Sequence, residues 1–245
     1  MALAVSTSNL KAVISEVWLG FVDLIFPPIC LVCGEVQEKY LCTDCASKIS
    51  FLTPPLCHRC AMPLVDGVCN ECRDLEFAFD TAYSVGAYEG VLRDAIHAFK
   101  YKSQKVLSEP LSNLMIEALS ANNRLYASVD VIVPVPIHLS RKRLRGFNQS
   151  ELLAAQIGRA MKLPVVMDVL IKSSPNRAQI DLPLDMRKSN VEGVFSINNA
   201  DAVYGRRVML VDDVFTTGST CDSASVALRS AGVREIHVFT LARSV

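Results

Sequence analysis

The segment that most constrains how this chain folds spans residues 208–220 and reads VMLVDDVFTTGST. It opens with four consecutive apolar residues, two of them β-branched, which is the pattern of a short parallel strand buried on both faces. Asp212 and Asp213 follow where this strand is predicted to end. Next come small polar residues and a glycine, which supply hydroxyl groups and the free backbone N–H groups that open a helix. The segment therefore predicts a strand, an acidic corner, a phosphate-binding loop and a helix start, in that order.

The loop is expected to bind an anion because a helix begins directly after it. Ser219 or Thr220 suits the N-cap of that helix, and Gly232 lies where a glycine that follows a helix end belongs. Roughly half a positive charge resides at a helix N-terminus, where unpaired N–H groups point at a docked phosphate. Asp212 and Asp213 would repel phosphate, so they suit hydroxyl donors or a hydrated Mg²⁺. A ligand with a phosphate, neighbouring hydroxyls and a metal-bound second anion meets these demands, and phosphoribosyl pyrophosphate is such a ligand.

This segment resembles the phosphoribosyl pyrophosphate motif of type I phosphoribosyltransferases. The resemblance implies that Asp212 and Asp213 contact the ribose hydroxyls. It also implies that the 5′-phosphate is held by the loop residues Thr216, Thr217, Gly218, Ser219 and Thr220.

Two other classes of protein share an apolar strand that ends in acidic residues. A P-loop NTPase would need the motif G-x-x-x-x-G-K-[ST], which none of the eleven glycines supplies. A receiver domain would need most of a domain after its acidic pair, whereas only residues 214–245 follow here. The sequence therefore favours the phosphoribosyl pyrophosphate site over both.

Eight of the nine cysteines form an internal repeat with a period of 27 residues. Each unit has the spacing C-x₂-C-x₈-C-x₂-C, and its four thiolates are the composition of a closed tetrahedral Zn²⁺ site. Large apolar residues are sparse in this segment, so its folding is expected to depend on the roughly 10–16 kcal/mol that a structural Zn²⁺ supplies. We expect a double zinc ribbon over residues 27–76 with two structural zinc ions, held by Cys30, Cys33, Cys42, Cys45, Cys57, Cys60, Cys69 and Cys72.

Other cysteine chemistries fit this pattern less well. Disulfides need an oxidising compartment, and the sequence shows no export signal. An iron–sulfur cluster takes the same ligands, but evenly spaced cysteine pairs favour zinc. The spacing leaves open whether each ion is bound within one repeat or across the two. His58 lies between two cysteines and is predicted to be a surface residue, and Cys221 a buried helix residue without chemistry.

The chain begins with apolar side chains at helical spacing over residues 6–26. This pattern predicts an amphipathic helix, which we assign to residues 1–26. Charged residues interrupt it, so we expect no transmembrane segment and no signal peptide, and a cytoplasmic protein. The helix is expected to pack on the body of the protein or on a partner subunit.

After the cysteines the pattern changes to alternating strands and helices, which predicts an α/β fold with a parallel sheet over residues 77–245. The predicted strands are residues 81–87, 129–135, 165–171, 208–211 and 236–241, and the helices include residues 91–101, 107–119 and 148–161. Residues 81–245 hold twenty Lys and Arg against fifteen Asp and Glu, whereas residues 1–80 hold five against ten. We therefore expect anion binding in the α/β part.

Basic residues in the α/β part are candidates to bind the pyrophosphate. A loop over residues 141–149 carries four cations in five residues and leaves the sheet at its carboxyl edge, where ligands bind. Its Arg143 and Arg145 have guanidinium groups that match phosphate oxygens. Lys100, near the end of the predicted helix over residues 91–101, is a further candidate.

A long polar segment over residues 172–195 is predicted to be a lid over a charged intermediate. Lys172 and Arg177 are its candidates to cover the pyrophosphate. We group them with Asp212 and Asp213 as candidate catalytic residues.

Together these features resemble the ComF family, in which a double zinc ribbon precedes a type I phosphoribosyltransferase domain. The resemblance runs from about Cys30 to the C-terminus and includes the cysteine pairs, RGFNQ at residues 145–149 and VDDVFTTGST. It implies binding of phosphoribosyl pyrophosphate with Mg²⁺. It further implies a link to competence, the handling of imported single-stranded DNA, with competence-machinery proteins as partners, or to the use of DNA as a nutrient.

Two functions stay open at this point. The first is a phosphoribosyltransferase whose acceptor base the sequence does not identify. The second is a binding protein that senses phosphoribosyl pyrophosphate or holds single-stranded DNA without transfer. Basic residues with Tyr101 and Phe147 would supply the backbone and stacking contacts to DNA.

Overall fold

The computed structural model describes residues 27–73, 75–101, 104–122, 128–173 and 194–245. The predicted helix over residues 1–26 and the lid residue Arg177 lie outside these ranges. Within them, no helix is long and apolar enough to cross a bilayer. In chain order the elements are α1 (Thr43–Ala46), β1 (Thr81–Ala87), α2 (Gly90–Tyr101), α3 (Ser108–Ala121), β2 (Val131–Pro134), α4 (Leu139–Arg145), α5 (Gln149–Met161), β3 (Leu170–Lys172), β4 (Phe195–Ile197), β5 (Arg207–Phe215), α6 (Ser219–Ser230) and β6 (Glu235–Arg243).

Four of these strands form one parallel sheet in the order β1-β6-β5-β2. Helices α2, α3 and α5 pack on one face, and helix α6 with the β3–β4 hairpin packs on the other. The central strands are covered on both sides, which explains why they read as continuous apolar runs. The predicted α/β fold with a parallel sheet is confirmed.

Strand β5 carries the acidic pair and is longer than the sequence predicts. Its residues 208–211 are fully buried, as expected, but the strand continues through both acids to Phe215. It continues because β6 runs on beside it and pairs Asp212 with Thr240 and Phe215 with Arg243. Strand β2 on the other side stops at Pro134, opposite Val211. The acids therefore lie on a stretch of β5 that has a neighbouring strand on one side.

The cysteine-rich segment closes the β1 edge of the sheet. Residues 50–52, which join the two cysteine units, run antiparallel to β1, with Ala87 N donating to Ser50 O at 2.8 Å and Leu52 N to Val85 O at 3.0 Å. The first unit then packs into the apolar layer of α2 and α3, and the second into the layer of α6. An otherwise open strand edge is thereby covered.

The predicted third strand over residues 165–171 is wrong. Only Val165 forms a parallel bridge, to Ile132, and the chain then leaves the sheet. Residues 170–172 instead pair antiparallel with β4 as a short hairpin. Met167 and Ile171 are 42% and 48% exposed, so this apolar run belongs to a hairpin on the surface of the layer and not to a buried sheet strand.

The basic segment that was predicted as a loop is the short helix α4. His138 caps its N-terminus by accepting from Ser140 N, and Gly146 ends it in the left-handed conformation with φ 78°. The following helix α5 begins after Asn148, as predicted, and Asn148 accepts from Ser150 N at 3.1 Å. Glu151, in the first turn of α5, forms an ion pair with Lys142 at 2.8 Å.

Candidate functional site

The acidic pair on β5 is held by side chains from two other elements. Asp212 Oδ1 accepts from Ser150 Oγ at 2.9 Å and from the Asp213 backbone N–H at 2.9 Å. Asp213 Oδ1 lies 2.6 Å from Lys100 Nζ, and both side chains of this ion pair are largely buried. Lys100 is in the last turn of α2 and Ser150 in the first turn of α5. The fold therefore brings together three predicted site residues and adds Ser150.

The electrostatic surroundings of Asp212 disfavour its charged form. Burial and the neighbouring Asp213 charge raise the pKa of Asp212 to about 7, although the positive charge of Lys100 acts in the opposite direction. A carboxyl group of this kind accepts hydrogen bonds readily when it is ionised and holds a proton when it is not. Ligand hydroxyl groups that donate to Asp212 would favour its ionised form.

The loop after β5 carries backbone donors that are unpaired within the described ranges. In the part of the chain that the structure describes, the N–H groups of Thr216, Thr217 and Gly218 donate to no other group. Thr217 Oγ1 lies 2.8 Å from Ser219 Oγ. The N-cap of α6 is Gly218, with φ 84°, so the predicted cap at Ser219 or Thr220 is wrong by one residue or two. Gly232 follows the helix end with φ 78°, as predicted.

Gly218 occupies the tightest position of this loop. A Cβ atom there would lie 2.7 Å from Phe215 Cζ and 3.1 Å from Phe77 Cε1. We expect Gly218→Ala to lose about tenfold or more in affinity for phosphoribosyl pyrophosphate, because the loop must shift away from both rings. Calorimetric titration with the Mg²⁺ complex measures this loss.

Gly205→Ala is the matched control for that substitution. Gly205 also has a positive φ, of 67°, but a Cβ there meets no atom within 4 Å. Both variants therefore carry the backbone strain of about 1–2 kcal/mol, and only Gly218→Ala displaces the loop. Equal affinities of the two variants for the ligand would contradict the prediction.

Helix α4 carries the predicted pyrophosphate residues Arg143 and Arg145. Asn148 Nδ2 donates to Val135 O at 3.0 Å and ties the junction of α4 and α5 to the end of β2. Arg145 contacts Gln149 Oε1 at 3.2 Å and lies over the Tyr101 ring at 5.1 Å. Arg143 is exposed on α4. Arg145 is therefore next to the helix turn that holds Lys100, whereas Arg143 faces solvent.

Of the two residues predicted in the lid, the structure describes Lys172. Lys172 ends β3, with its Nζ 5.0 Å from the centre of the Phe195 ring. Burial lowers the pKa of Lys172, and the negative charge of Asp212 partly offsets this effect. Arg177 lies outside the described residues.

Each cysteine unit forms its own cluster, which answers the question that the spacing left open. The four Sγ atoms of Cys30, Cys33, Cys42 and Cys45 lie within 4.8 Å of one another, and so do those of Cys57, Cys60, Cys69 and Cys72. In the second cluster three Sγ pairs are 3.5 Å apart. A tetrahedral Zn²⁺ with Zn–S bonds of about 2.3 Å would separate its sulfurs by about 3.8 Å. The clusters therefore fit one structural zinc ion per repeat.

The thiols within one cluster differ in how readily they ionise. Burial, with hydrogen bonds to neighbouring thiols, raises the pKa of Cys45 to about 12. At Cys30 burial acts in the same direction, but hydrogen bonds from backbone N–H groups outweigh it and lower the pKa to about 6. Four thiolates so close together are stable only when a bound cation neutralises them. His58 is exposed and Cys221 is buried in α6, both as predicted.

The sequence did not reveal two residues that support this site. Ser150 follows the RGFNQ segment directly, and only the packing of α5 against β5 shows that it binds Asp212. Arg243 lies at the end of an apolar strand, where its charge is the one signal that could have pointed to it. Its Nη1 donates to Thr216 O at 2.6 Å, so it touches the loop itself.

Comparison with known proteins assigns both parts of the chain. A family model described as "Double zinc ribbon domain" matches residues 21–75, and one described as "Phosphoribosyl transferase domain" matches residues 147–244. "Competence protein F" of Haemophilus influenzae is 32% identical over 216 residues, which cover 86% of this chain and 93% of that protein. The chain belongs to the ComF family.

Two further proteins are similar to this ComF-family chain over most of its length. "DNA utilization protein YhgH" of Escherichia coli is 28% identical over 229 residues, and the alignment spans 91% of this chain and 100% of that protein. "Competence protein ComFC" of Bacillus subtilis is 27% identical over 217 residues, and the alignment spans 84% of this chain and 85% of that protein.

Solved structures similar to this ComF-family chain are matched over part of its length. A glutamine phosphoribosylpyrophosphate amidotransferase from B. subtilis is 24% identical with a TM-score of 0.43, over 59% of the chain and 30% of that protein. An adenine phosphoribosyltransferase from Leishmania tarentolae is 15% identical with a TM-score of 0.36, over 60% of the chain and 74% of that protein.

Proposed function

We propose that this ComF-family protein binds phosphoribosyl pyrophosphate with Mg²⁺ and transfers its phosphoribosyl group to a nitrogen acceptor. The observation that carries the proposal is the placement of two carboxyl groups on the strand that leads into a loop, three of whose N–H groups have no partner among the described residues. Asp212 and Asp213 would accept hydrogen bonds from the ribose hydroxyls. The loop of Thr216, Thr217, Gly218, Ser219 and Thr220 would hold the 5′-phosphate with its amides and hydroxyls.

Cationic side chains would stabilise the departing pyrophosphate. Lys100 is already beside the acids through its ion pair with Asp213. Arg145 contacts Tyr101, which directly follows Lys100 in the chain. Arg143 lies on α4, the helix that also carries Arg145. Lys172 would approach from the end of β3, and Arg177 is the other residue predicted to cover the pyrophosphate. Positive groups that are already in position stabilise developing negative charge without reorganisation during the reaction.

The proposed reaction breaks one bond and forms one. The bond from ribose C1 to the pyrophosphate oxygen breaks and its electron pair leaves with the pyrophosphate. The acceptor nitrogen then donates a lone pair to C1 and releases a proton. Mg²⁺, when bound with the ligand, would neutralise part of the pyrophosphate charge. The protein's own contribution would be to orient the ribose and to hold both anions in place.

Calorimetry and a product assay test this proposal. The zinc-loaded protein should bind the Mg²⁺ complex of phosphoribosyl pyrophosphate, and release of pyrophosphate should require one member of a panel of bases. Binding without release for every base would favour a sensor over an enzyme. No heat of binding and no release would contradict the proposal.

A second candidate function is the binding of single-stranded DNA, which the exposed surface of α4 favours. This helix carries four cations in five residues, and the nearby Tyr101 ring is 63% exposed. Cations follow a nucleic-acid backbone and exposed aromatic rings stack on its bases. The names of the relatives, which refer to competence and DNA utilization, agree with such a partner.

Charge reversal separates this DNA surface from the rest of the chain. We expect the triple variant Arg141→Glu, Arg143→Glu and Arg145→Glu to weaken single-strand binding by about tenfold or more and to reduce its salt dependence. The control triple variant Arg159→Glu, Lys162→Glu and Arg206→Glu changes the net charge by the same amount, at exposed positions outside α4. Binding that zinc chelation abolishes but the α4 variant leaves intact would contradict this assignment.

We also propose that the protein works in the cytoplasm, alongside the competence machinery that handles imported DNA. No disulfide joins any of the nine cysteines, all of which lie in the described ranges, and eight of them lie in the two clusters. Zinc-bound thiolates in place of disulfides are typical of a reducing compartment.

A further inference from the structure

Arg243 connects the second cysteine cluster to the phosphate loop. It is the last residue of β6 and is 5% exposed. Its Nε donates to Cys60 O at 2.8 Å, and its Nη1 donates to Thr216 O at 2.6 Å and to Phe215 O at 3.4 Å. Nη1 also donates to Ser244 O. One guanidinium group therefore bridges a zinc-ligand residue and the first residue of the loop.

We propose that Arg243 is a positioning residue through which the second cysteine cluster, and not the first, holds the phosphate loop in its binding conformation. The inference rests on the proposed binding of phosphoribosyl pyrophosphate, which it deepens. It assigns to the second zinc ion a role beyond the stability of its own ribbon.

The hydrogen bonds of Arg243 set the direction of the loop amides. In a trans peptide the C=O and the following N–H point in opposite directions. Because Thr216 C=O is turned toward Arg243, the Thr217 N–H is turned away from it. Phe215 C=O is held in the same way by Arg243 and by Ser244 N, at 2.9 Å, so the Thr216 N–H also points away. These are two of the three amides that have no partner in the described part of the chain.

Close packing alone does not support the loop from this side. A cavity of about 440 Å³ lies between the second cluster and the loop and is lined by Cys60, Cys72, Phe77 and Thr216, among others. Phe77 stacks on Phe79 with ring centres 4.6 Å apart, and both contact Phe215 edge-on. The rings support Gly218, whereas Arg243 spans the distance from the cluster to the residues before it.

Arginine is the residue type that such a bridge requires. The recorded hydrogen bonds of this buried guanidinium go to backbone carbonyl oxygens, whose dipoles offset the cost of its burial. Its planar fork reaches carbonyl groups on different sides at once, and it lies over the Phe215 ring at 5.0 Å. A lysine ammonium is a single point on a flexible stem and cannot hold both ends.

The first cluster lacks such a path in the described part of the chain. It packs into the other apolar layer, with Cys30 and Cys45 among the buried residues beside α2 and α3. This difference supplies a matched comparison, because Cys42 and Cys69 occupy the same position in the two repeats, 27 residues apart.

A double-mutant cycle on the full chain tests the proposal. Hydrogen exchange is followed at the Ser244 and Asp222 amides, which bond to Phe215 O and Gly218 O, with the Leu52 amide as a reporter distant from the loop. We expect Arg243→Lys to speed exchange at Ser244 and Asp222 by about tenfold and to leave two zinc ions bound. Cys69→Ser alone should speed exchange at Ser244 and Asp222 in the same way, but should add little to the effect of Arg243→Lys in the double variant. Cys42→Ser should instead speed exchange at Leu52, and its effect should be additive with that of Arg243→Lys.

Ligand affinity gives a second readout that does not depend on the cysteine variants folding. Arg243→Lys should weaken binding of Mg²⁺–phosphoribosyl pyrophosphate by about tenfold. Unchanged loop exchange and affinity in Arg243→Lys, or additive effects with Cys69→Ser, would overturn the inference. A wild-type protein that binds no phosphoribosyl pyrophosphate would refute the proposed function instead, and the exchange cycle would still decide whether the cluster and the loop are coupled.

Discussion

Asp212→Asn is expected to weaken binding of Mg²⁺–phosphoribosyl pyrophosphate by roughly 100-fold without lowering the stability of the folded chain. A hydrogen bond to a charged group is worth about 1.5–3 kcal/mol, and the ribose offers two hydroxyl donors to the acidic pair. Asparagine keeps an oxygen that can accept from Ser150 Oγ and from the Asp213 N–H, so the local structure should persist.

The stability of this variant follows from the raised pKa of Asp212. Burial and the Asp213 charge bring that pKa to about 7, so the folded chain holds this proton more tightly than the unfolded chain does. The contribution of Asp212 to the free energy of unfolding therefore falls as the pH rises from about 4 to about 7. Above that range the neutral asparagine side chain removes a negative charge next to that of Asp213, and the variant should be at least as stable as the wild type.

Calorimetry at several pH values measures both effects. Wild-type affinity should rise as Asp212 ionises near pH 7, whereas Asp212→Asn should lack this part of the pH dependence. Asp94→Asn removes the same charge from an exposed position on α2 and is the control. Asp213→Asn should lose stability as well as affinity, because it leaves Lys100 without its partner. Wild-type affinity in Asp212→Asn would refute the assigned role.

Removal of zinc should have the largest effect on the structure. Each structural Zn²⁺ contributes roughly 10–16 kcal/mol of apparent binding energy, more than the whole free energy of unfolding of many domains. The clusters also contribute buried cysteines to both apolar layers of the sheet. We therefore expect chelation to unfold the cysteine-rich segment and to expose the β1 edge.

Metal analysis together with thermal unfolding checks this prediction. The isolated protein should contain two zinc ions, Cys45→Ser should retain one, and Cys221→Ser should retain both because Cys221 lies outside the clusters. Chelation should lower the midpoint of unfolding of the wild type and of Cys221→Ser alike. Iron with visible absorbance, or two zinc ions in Cys45→Ser, would show that the clusters hold another cofactor or use other ligands.

Where the sequence was misleading, distant parts of the chain were responsible. The apolar run over residues 165–171 has the pattern of a sheet strand. In the structure, however, only Val165 forms a bridge to Ile132 of the sheet, and residues 170–172 pair with β4. The basic segment of Arg143 and Arg145 lacked helical periodicity because α4 is short and solvent-exposed, with no buried face. In both segments the spacing of apolar residues does not indicate which other parts of the chain they contact.

The sequence by itself determined the local features: the buried strand before the acids, the loop glycine, the helix that follows and two sets of four cysteines. These features arise from residues a few positions apart, whose spacing and backbone preferences are readable in one dimension. Only the tertiary structure decided that Lys100 neutralises Asp213, that each zinc site lies within one repeat and that Arg243 joins Cys60 to the loop. Arg243 and Cys60 are 183 positions apart, and sheet order and packing, to which local patterns are blind, bring them into contact.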